Sequence, residues 1–152
     1  MAVALSEDID KLAEDFEKKS AQEVLEWALG KYPTSVALAC SFAEDIAVID
    51  MMVKINPKAR IFCLDTGRLN QETYNLMDEV KNKYGINIEV MFPNTQKTED
   101  MVRKHGMNLF YNSIENRKLC CGVRKVEPLN RILNTLDGWV TGLRRDQAVT
   151  RN

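Results

Sequence analysis

The chain has 152 residues, of which 45% are hydrophobic and 28% charged, and its formal net charge is −1. That is enough apolar material for one domain with a core, and it excludes wholesale disorder. The sequence holds no apolar run near the ~20 residues that a membrane-spanning helix needs, so no membrane partner is expected.

The opening stretch, MAVALSEDIDKLAEDFEKK, turns acidic after five residues, whereas a secretory signal needs a basic start and a longer apolar region. The cytoplasm is the expected location. Four cysteines in that compartment speak against a disulfide framework and leave core packing, metal binding or redox chemistry. Charge is unevenly spread. Residues 1–50 carry eleven acids and four bases, a balance of −7, and residues 117–152 carry eight bases and three acids, a balance of +5. A basic C-terminal third suits a small anionic ligand or a solvated basic face. Nucleic acid would call for a basic excess over the whole domain with interleaved aromatics, and neither is present.

In chain order, Leu5, Ile9, Leu12 and Phe16 recur at helical spacing. Ser20-Ala21-Gln22-Glu23 then forms a capping box before VLEWALG, with Gly30 as the expected stop. TSVALAC (34–40) is a short continuous apolar run, the pattern of a strand buried on both faces. EDIAVIDMMVKI (44–55) is helical, with Ile46, Ile49, Met52 and Val53 on one side. ARIFCLD (59–65) reads as a second buried strand, NQETYNLMDEVKNKYG (70–85) as a helix closed by Gly85, and INIEVMFP (86–93) as a third strand. TEDMVRKHG (98–106) is a short helix. CGVRKVEPLNRILNTL (121–136) is another, interrupted near Pro128, and GWVTGL (138–143) is a fourth strand. Strands alternating with helices predict an α/β fold with a parallel sheet covered on both faces. Residues 1–33 form an N-terminal helical segment and 34–152 the α/β domain, one domain overall.

In such sheets ligands sit beyond the carboxyl ends of the strands. Those junctions read CSFAEDI, LDTGRLN, PNT and TGLRRDQ. The first places Ser41 at the turn and Asp45 in the next helix's first turn, where backbone N–H groups and the positive helix end can face an anion. The second carries Asp65, Thr66 and Gly67, the glycine allowing close backbone approach. The fourth presents Arg144 and Arg145, whose forked donors match phosphate or sulfate. Each signal is weak alone, and four on one sheet strengthen one another. Cys120 and Cys121 stand side by side near Arg124 and Lys125, which fits chance, a vicinal disulfide, two buried small hydrophobes, or a metal or cluster site. Cys40 and Cys63 lie in apolar strands and read as core. His105, the single histidine, falls at a helix end and reads as surface. Trp27 and Trp139 read as core aromatics.

Taken in order, ACSFAED, LDTGRL, CCGVRKVEPL and WVTGLRRDQ resemble the assimilatory adenylyl-sulfate and phosphoadenylyl-sulfate reductases, over about 35–152. The resemblance implies an adenosine nucleotide alpha-hydrolase-like fold related to ATP pyrophosphatases. It also implies thioredoxin-dependent reduction of adenylyl sulfate, or of phosphoadenylyl sulfate, to sulfite with release of the adenine nucleotide. By the same match Ser41, Phe42, Ala43, Glu44 and Asp45 receive the phosphate end. Leu64, Asp65, Thr66 and Gly67 line the adenosine pocket, and Arg68, Gly142, Arg144 and Arg145 are further nucleotide-binding residues. In the adenylyl-sulfate branch the adjacent cysteines are two of four ligands to a 4Fe–4S cluster. Cys120 and Cys121 match that pair, and Lys125 would lie between cluster and substrate as a catalytic residue. A homo-oligomer is compatible with the family.

Two departures stand out. The family's downstream Cys-x-x-Cys pair and its C-terminal nucleophilic cysteine are not in this sequence, which stops 31 residues after Cys121. It therefore reads as a fragment or truncated product that binds the nucleotide without reducing it. The first loop also carries Phe42 and Ala43 where related pyrophosphatase loops have glycines. The alternative readings are an ATP pyrophosphatase or sulfurtransferase of the same fold, and a non-catalytic adenine-nucleotide-binding module.

Overall fold

A computed structural model of the chain describes residues 9–42 and 45–143. Its elements run α1 (Ile9–Phe16), α2 (Ala21–Lys31), β1 (Val36–Ala39), α3 (Ile46–Ile55), β2 (Arg60–Leu64), α4 (Gln71–Tyr84), β3 (Ile88–Met91) and α5 (Thr95–His105). A 3₁₀ turn (Leu109–Tyr111), α6 (Ile114–Cys121), a π-helical turn (Gly122–Val126), α7 (Glu127–Leu133) and β4 (Gly138–Thr141) complete it.

The strands form one parallel sheet in the order β3-β2-β1-β4. Side-chain alternation divides the core between its two faces. Leu38, Cys40, Ile61 and Cys63 point to one face, against Leu25 and Leu29 of α2, Ile49 and Met52 of α3 and Met77 and Val80 of α4. Ala37 and Phe62 point to the other, against Ile132 of α7, with Leu129 and Leu133 alongside. A third cluster lies away from the sheet, where Met101 of α5, Leu109 and Cys120 of α6 pack together.

Local chemistry explains most of the boundaries. Ser20 and Glu23 make the expected capping box, each satisfying the other's backbone N–H. Gly85 closes α4 at φ 64, a left-handed turn that favours glycine. Gly30 is not a stop; α2 runs through it to Lys31 and is capped at Tyr32. α5 starts earlier than its apolar spacing suggests, because the Asn94 side chain accepts the Lys97 N–H and caps it. Pro128 does not interrupt a helix either. It sits in the first turn of α7, where a missing N–H costs nothing, and the irregularity falls before it in the π turn.

Burial on both faces holds for β1 and β2 but not for β3 and β4, whose residues are half-buried or exposed. Edge position is the reason. Trp139 shows it most plainly, being 47% exposed rather than core. Trp27 is half-buried, packed edge-on between Phe16 and Tyr32.

Leu38 has no exposed surface and lies centrally in β1. Leu38→Ala should therefore lower unfolding free energy by about 2–5 kcal/mol, measured by urea denaturation; a change near zero would mean that the sheet's core is not where this packing places it.

Candidate functional site

Strand order reverses direction at β1, since β2 follows on one side and β4 returns on the other. Loops leave a reversal point in opposite directions and open a crevice beyond the strand ends. A cavity of about 560 Å³ lies there, within the usual range for small-molecule sites. The first loop contributes Cys40, Ser41, Phe42 and Asp45, the β2 end Leu64 and Thr66, and the β4 end Thr141, Gly142 and Leu143. Trp139, Leu69 and Leu129 extend the apolar wall, and Lys125 brings a cation to it.

The first loop is tightly built. Asp45, 8% exposed, accepts hydrogen bonds on Oδ2 from both the N–H and the hydroxyl of Ser41, each at 2.7 Å. A buried carboxylate needs such partners, so these donors are already engaged by the protein rather than facing an empty anion seat. Gly142 lies against the same carboxylate, and a Cβ there would overlap Asp45 Oδ1. Phe42 adopts φ 59, the left-handed conformation glycine usually supplies, while its ring is buried. The cost is roughly 1–2 kcal/mol. Its N–H donates to Cys40 Sγ at 3.3 Å. A phenylalanine thus reproduces the backbone turn that glycine would give. Ala43 and Glu44 lie outside the described residues, as do Arg144 and Arg145.

Residues of the second loop divide. Leu64 and Thr66 line the cavity, and Asp65, Gly67 and Arg68 do not. Asp65 turns inward, 4% exposed, where its carboxylate accepts from the Gly67 N–H at 2.7 Å and from the Tyr74 hydroxyl at 2.9 and 3.0 Å. Arg68 reaches away to Met107 O and Asn108 Oδ1, with its guanidinium over the Phe110 ring. Arg124, buried at 7% exposure, donates to Thr66 O at 2.7 Å and approaches Gly67 closely enough that a Cβ would meet Nη1 at 3.2 Å. Its Nε is buried with no hydrogen-bond partner among the described residues. Sequence reasoning missed Tyr74, Arg124 and Trp139 as site-building residues; the signal available was the position of Arg124 beside Lys125 in one motif.

A family model described as the phosphoadenosine phosphosulfate reductase domain matches residues 35–152. The chain belongs to this family. It is 44% identical over 142 residues to 5'-adenylylsulfate reductase 1, chloroplastic, of Arabidopsis thaliana, covering 93% of this chain and 30% of that protein. It is 40% identical over 141 residues to adenosine 5'-phosphosulfate reductase of Pseudomonas aeruginosa, covering 93% and 52%. The chain thus spans about half or less of these relatives' length. A crystal structure of phosphoadenylyl-sulfate reductase from Candida auris, a phosphate complex, superposes with a TM-score of 0.81 at 27% identity, over 97% of this chain and 73% of that one. The sheet flanked by helices is the fold of this reductase family.

The adjacent cysteines lie at the end of α6, not at a helix start. Cys120 is buried beside Met101 and Leu109, and Cys121 is exposed. Consecutive residues on a helix diverge by about 100°, which accounts for the split. All four cysteines are free thiols, and neither Cys120 nor Cys121 lines the cavity. Thiols are the right donors for an iron–sulfur cluster, which takes four of them. Among the described residues no group of three or more Cys, His, Asp or Glu could hold a metal, so these residues do not complete such a site by themselves. Among the described residues no helix is long and apolar enough to cross a membrane.

Two outcomes test this geometry. Gly142→Ala should destabilise the chain by about 1–3 kcal/mol through overpacking, and by clearly less in an Asp45→Ala background, as chemical denaturation of the double-mutant cycle would show. Equal costs in both backgrounds would refute the contact. The hydrogen bond to Asp65 raises the Tyr74 phenol above its ordinary value of 10.0. A raised phenol adds stability that is present below the unfolded value and lost as pH rises through the folded one. Wild-type stability should therefore fall above pH 10 more steeply than that of Tyr74→Phe, and parallel curves would count against the bond.

Proposed function

We propose that this chain is the nucleotide-binding part of an assimilatory adenylyl-sulfate reductase, which in full length reduces adenylyl sulfate to sulfite and AMP with thioredoxin as reductant. The observation that carries the reading is the cavity at the sheet's reversal point, where Ser41, Thr66, Lys125 and Gly142 meet an apolar wall. Family membership and the printed names of the relatives support it.

The residues suggest a division of tasks. The apolar wall of Leu64, Leu69, Leu129 and Trp139 can take up the nucleoside and exclude water from it. Lys125, a cation on the wall, can meet the anionic end and hold the sulfate where its charge offsets the charge of the leaving nucleotide. Asp45 opposes an anion. Its partnership with Ser41 and Gly142 gives it a loop-shaping role, and Arg144 and Arg145 are the further cations this reading requires. Asp65, Gly67 and Arg68 then act by fixing the loop that presents Leu64 and Thr66. Ala43 and Glu44 complete the first loop.

A 4Fe–4S cluster in the full-length protein belongs to the same reading, with Cys120 and Cys121 supplying two thiolates and the remaining ligands coming from elsewhere. The reading assigns the protein to the cytoplasm, where thioredoxin keeps thiols reduced, and residues 34–152 to the nucleotide domain behind a helical segment, 1–33.

Calorimetric titration with AMP and adenylyl sulfate tests the proposal. Both should bind. Lys125→Ala, Arg144→Ala and Arg145→Ala should each weaken binding by about 1.5–3 kcal/mol, the worth of a hydrogen bond to a charged group, while Lys97→Ala on α5 leaves it unchanged. Absence of binding, or the same affinity in all four variants, would sink the reading.

A further inference from the structure

Cys40 and Cys63 stand side by side on one face of the sheet, and nothing in the nucleotide chemistry uses their sulfurs. The parallel register pairs Leu38 with Ile61 and Ala39 with Phe62. One step further places Cys40 beside Cys63, and the Cys40 N–H donates to Phe62 O at 2.8 Å as that continuation requires. Both side chains belong to the cluster facing α3 and α4, while Phe62 belongs to the opposite one. Both also line the cavity, although they are only 6% and 3% exposed.

We propose that Cys40 and Cys63 form a two-thiolate site for a soft, thiophilic metal ion of the Cu(I) type, entered from the cavity. Both cysteines are free thiols, and opposed residues on neighbouring strands lie about 4.7–4.9 Å apart, close enough for one ion to bridge their sulfurs. Thiolates select soft ions such as Cu(I) over oxygen-seeking ones.

The binding step moves no electrons. Two S–H bonds lose their protons to solvent, two S–Cu bonds form, and the bis-thiolate complex carries a single negative charge. Burial pushes the Cys40 thiol up to about 12 and the Cys63 thiol up to about 11, with Asp45 adding to the first and Asp65 to the second. Both are protonated at neutral pH, so only an ion with a strong bond to sulfur can displace those protons. The same carboxylates favour a cation electrostatically.

Occupancy has a consequence for the first loop. Cys40 Sγ accepts the N–H of Phe42, the left-handed residue next to Ser41. A metal bond at that sulfur competes with this hydrogen bond and loosens the turn, lowering nucleotide affinity. This second half rests on the nucleotide reading above, and the metal site does not.

The experiment starts from the Cys120→Ala/Cys121→Ala double variant, which removes the other adjacent thiols. Anaerobic titration with Cu(I) against a chromophoric Cu(I) chelator should give about one ion per chain, and Cys40→Ala or Cys63→Ala should each abolish it. X-ray absorption of the copper-loaded double variant should show two sulfur neighbours, a readout that does not depend on how the further variants fold. AMP should bind the loaded protein about fivefold or more weakly than the empty one. No copper uptake, unchanged uptake in a folded Cys40→Ala variant, or a sulfur-poor coordination shell would each overturn the site. Copper uptake with unchanged AMP affinity overturns the coupling. If AMP fails to bind even the empty protein while copper binds through two sulfurs, the nucleotide reading falls and the metal site stands.

Discussion

Asp45 ties together two loops that are far apart in sequence. Its buried carboxylate takes both donors of Ser41, and Gly142 lies so close that a Cβ there would displace Asp45 Oδ1. The pairing of Ala39 with Thr141 in β1 and β4 brings these loops together, so the cavity exists only if β4 returns to the correct side of β1. The arrangement also sets the electrostatics. A carboxylate sits beside the first loop and occupies both donors of Ser41, which are then not offered to an anion. An anionic ligand must then be met by cations from other segments, and Lys125 is the cation that the described part of the wall provides.

Much of the architecture was legible because several local signals agreed. For α4 the helical spacing and Gly85 point to the same end, and for α2 the capping box fixes the start. β1 and β2 are short apolar runs because both of their faces are covered. Legibility fails where an outcome depends on position in the sheet rather than on local pattern. GWVTGL has the same apolar character as the central strands, yet β4 lies at an edge and leaves Trp139 half in solvent. Pro128 reads as a breaker in isolation, but the widened π turn before it makes its position a helix start.

Site residues follow the same division. Residue types at the strand ends announced a cavity, but their orientation could not be read. Asp65 and Thr66 are adjacent, and one turns into the protein while the other faces the cavity. Arg68 looked like a ligand contact beside Gly67, and the loop at Met107 and Asn108 holds it elsewhere. Such outcomes depend on long-range partners that no window of sequence contains.

The π turn joins the two halves of this pattern. Arg124 and Lys125 are consecutive, one buried against the Thr66 carbonyl and the other on the cavity wall. A buried guanidinium with few partners is costly, and its retention fits its position. It holds the second loop at the Thr66 carbonyl, while Asp65 binds the Gly67 N–H. The loop that supplies Thr66 is therefore clamped by the same helical segment that carries Cys120 and Cys121. A π turn is an α-helix with one residue inserted, and removing that residue would rotate everything after it by about 100°. α7 would then turn Ile132 away from Ala37 and Phe62, and Leu129 away from the cavity. Arg124 and Lys125 diverge as consecutive helical residues do, and what the irregularity fixes is which face of α7 meets the sheet.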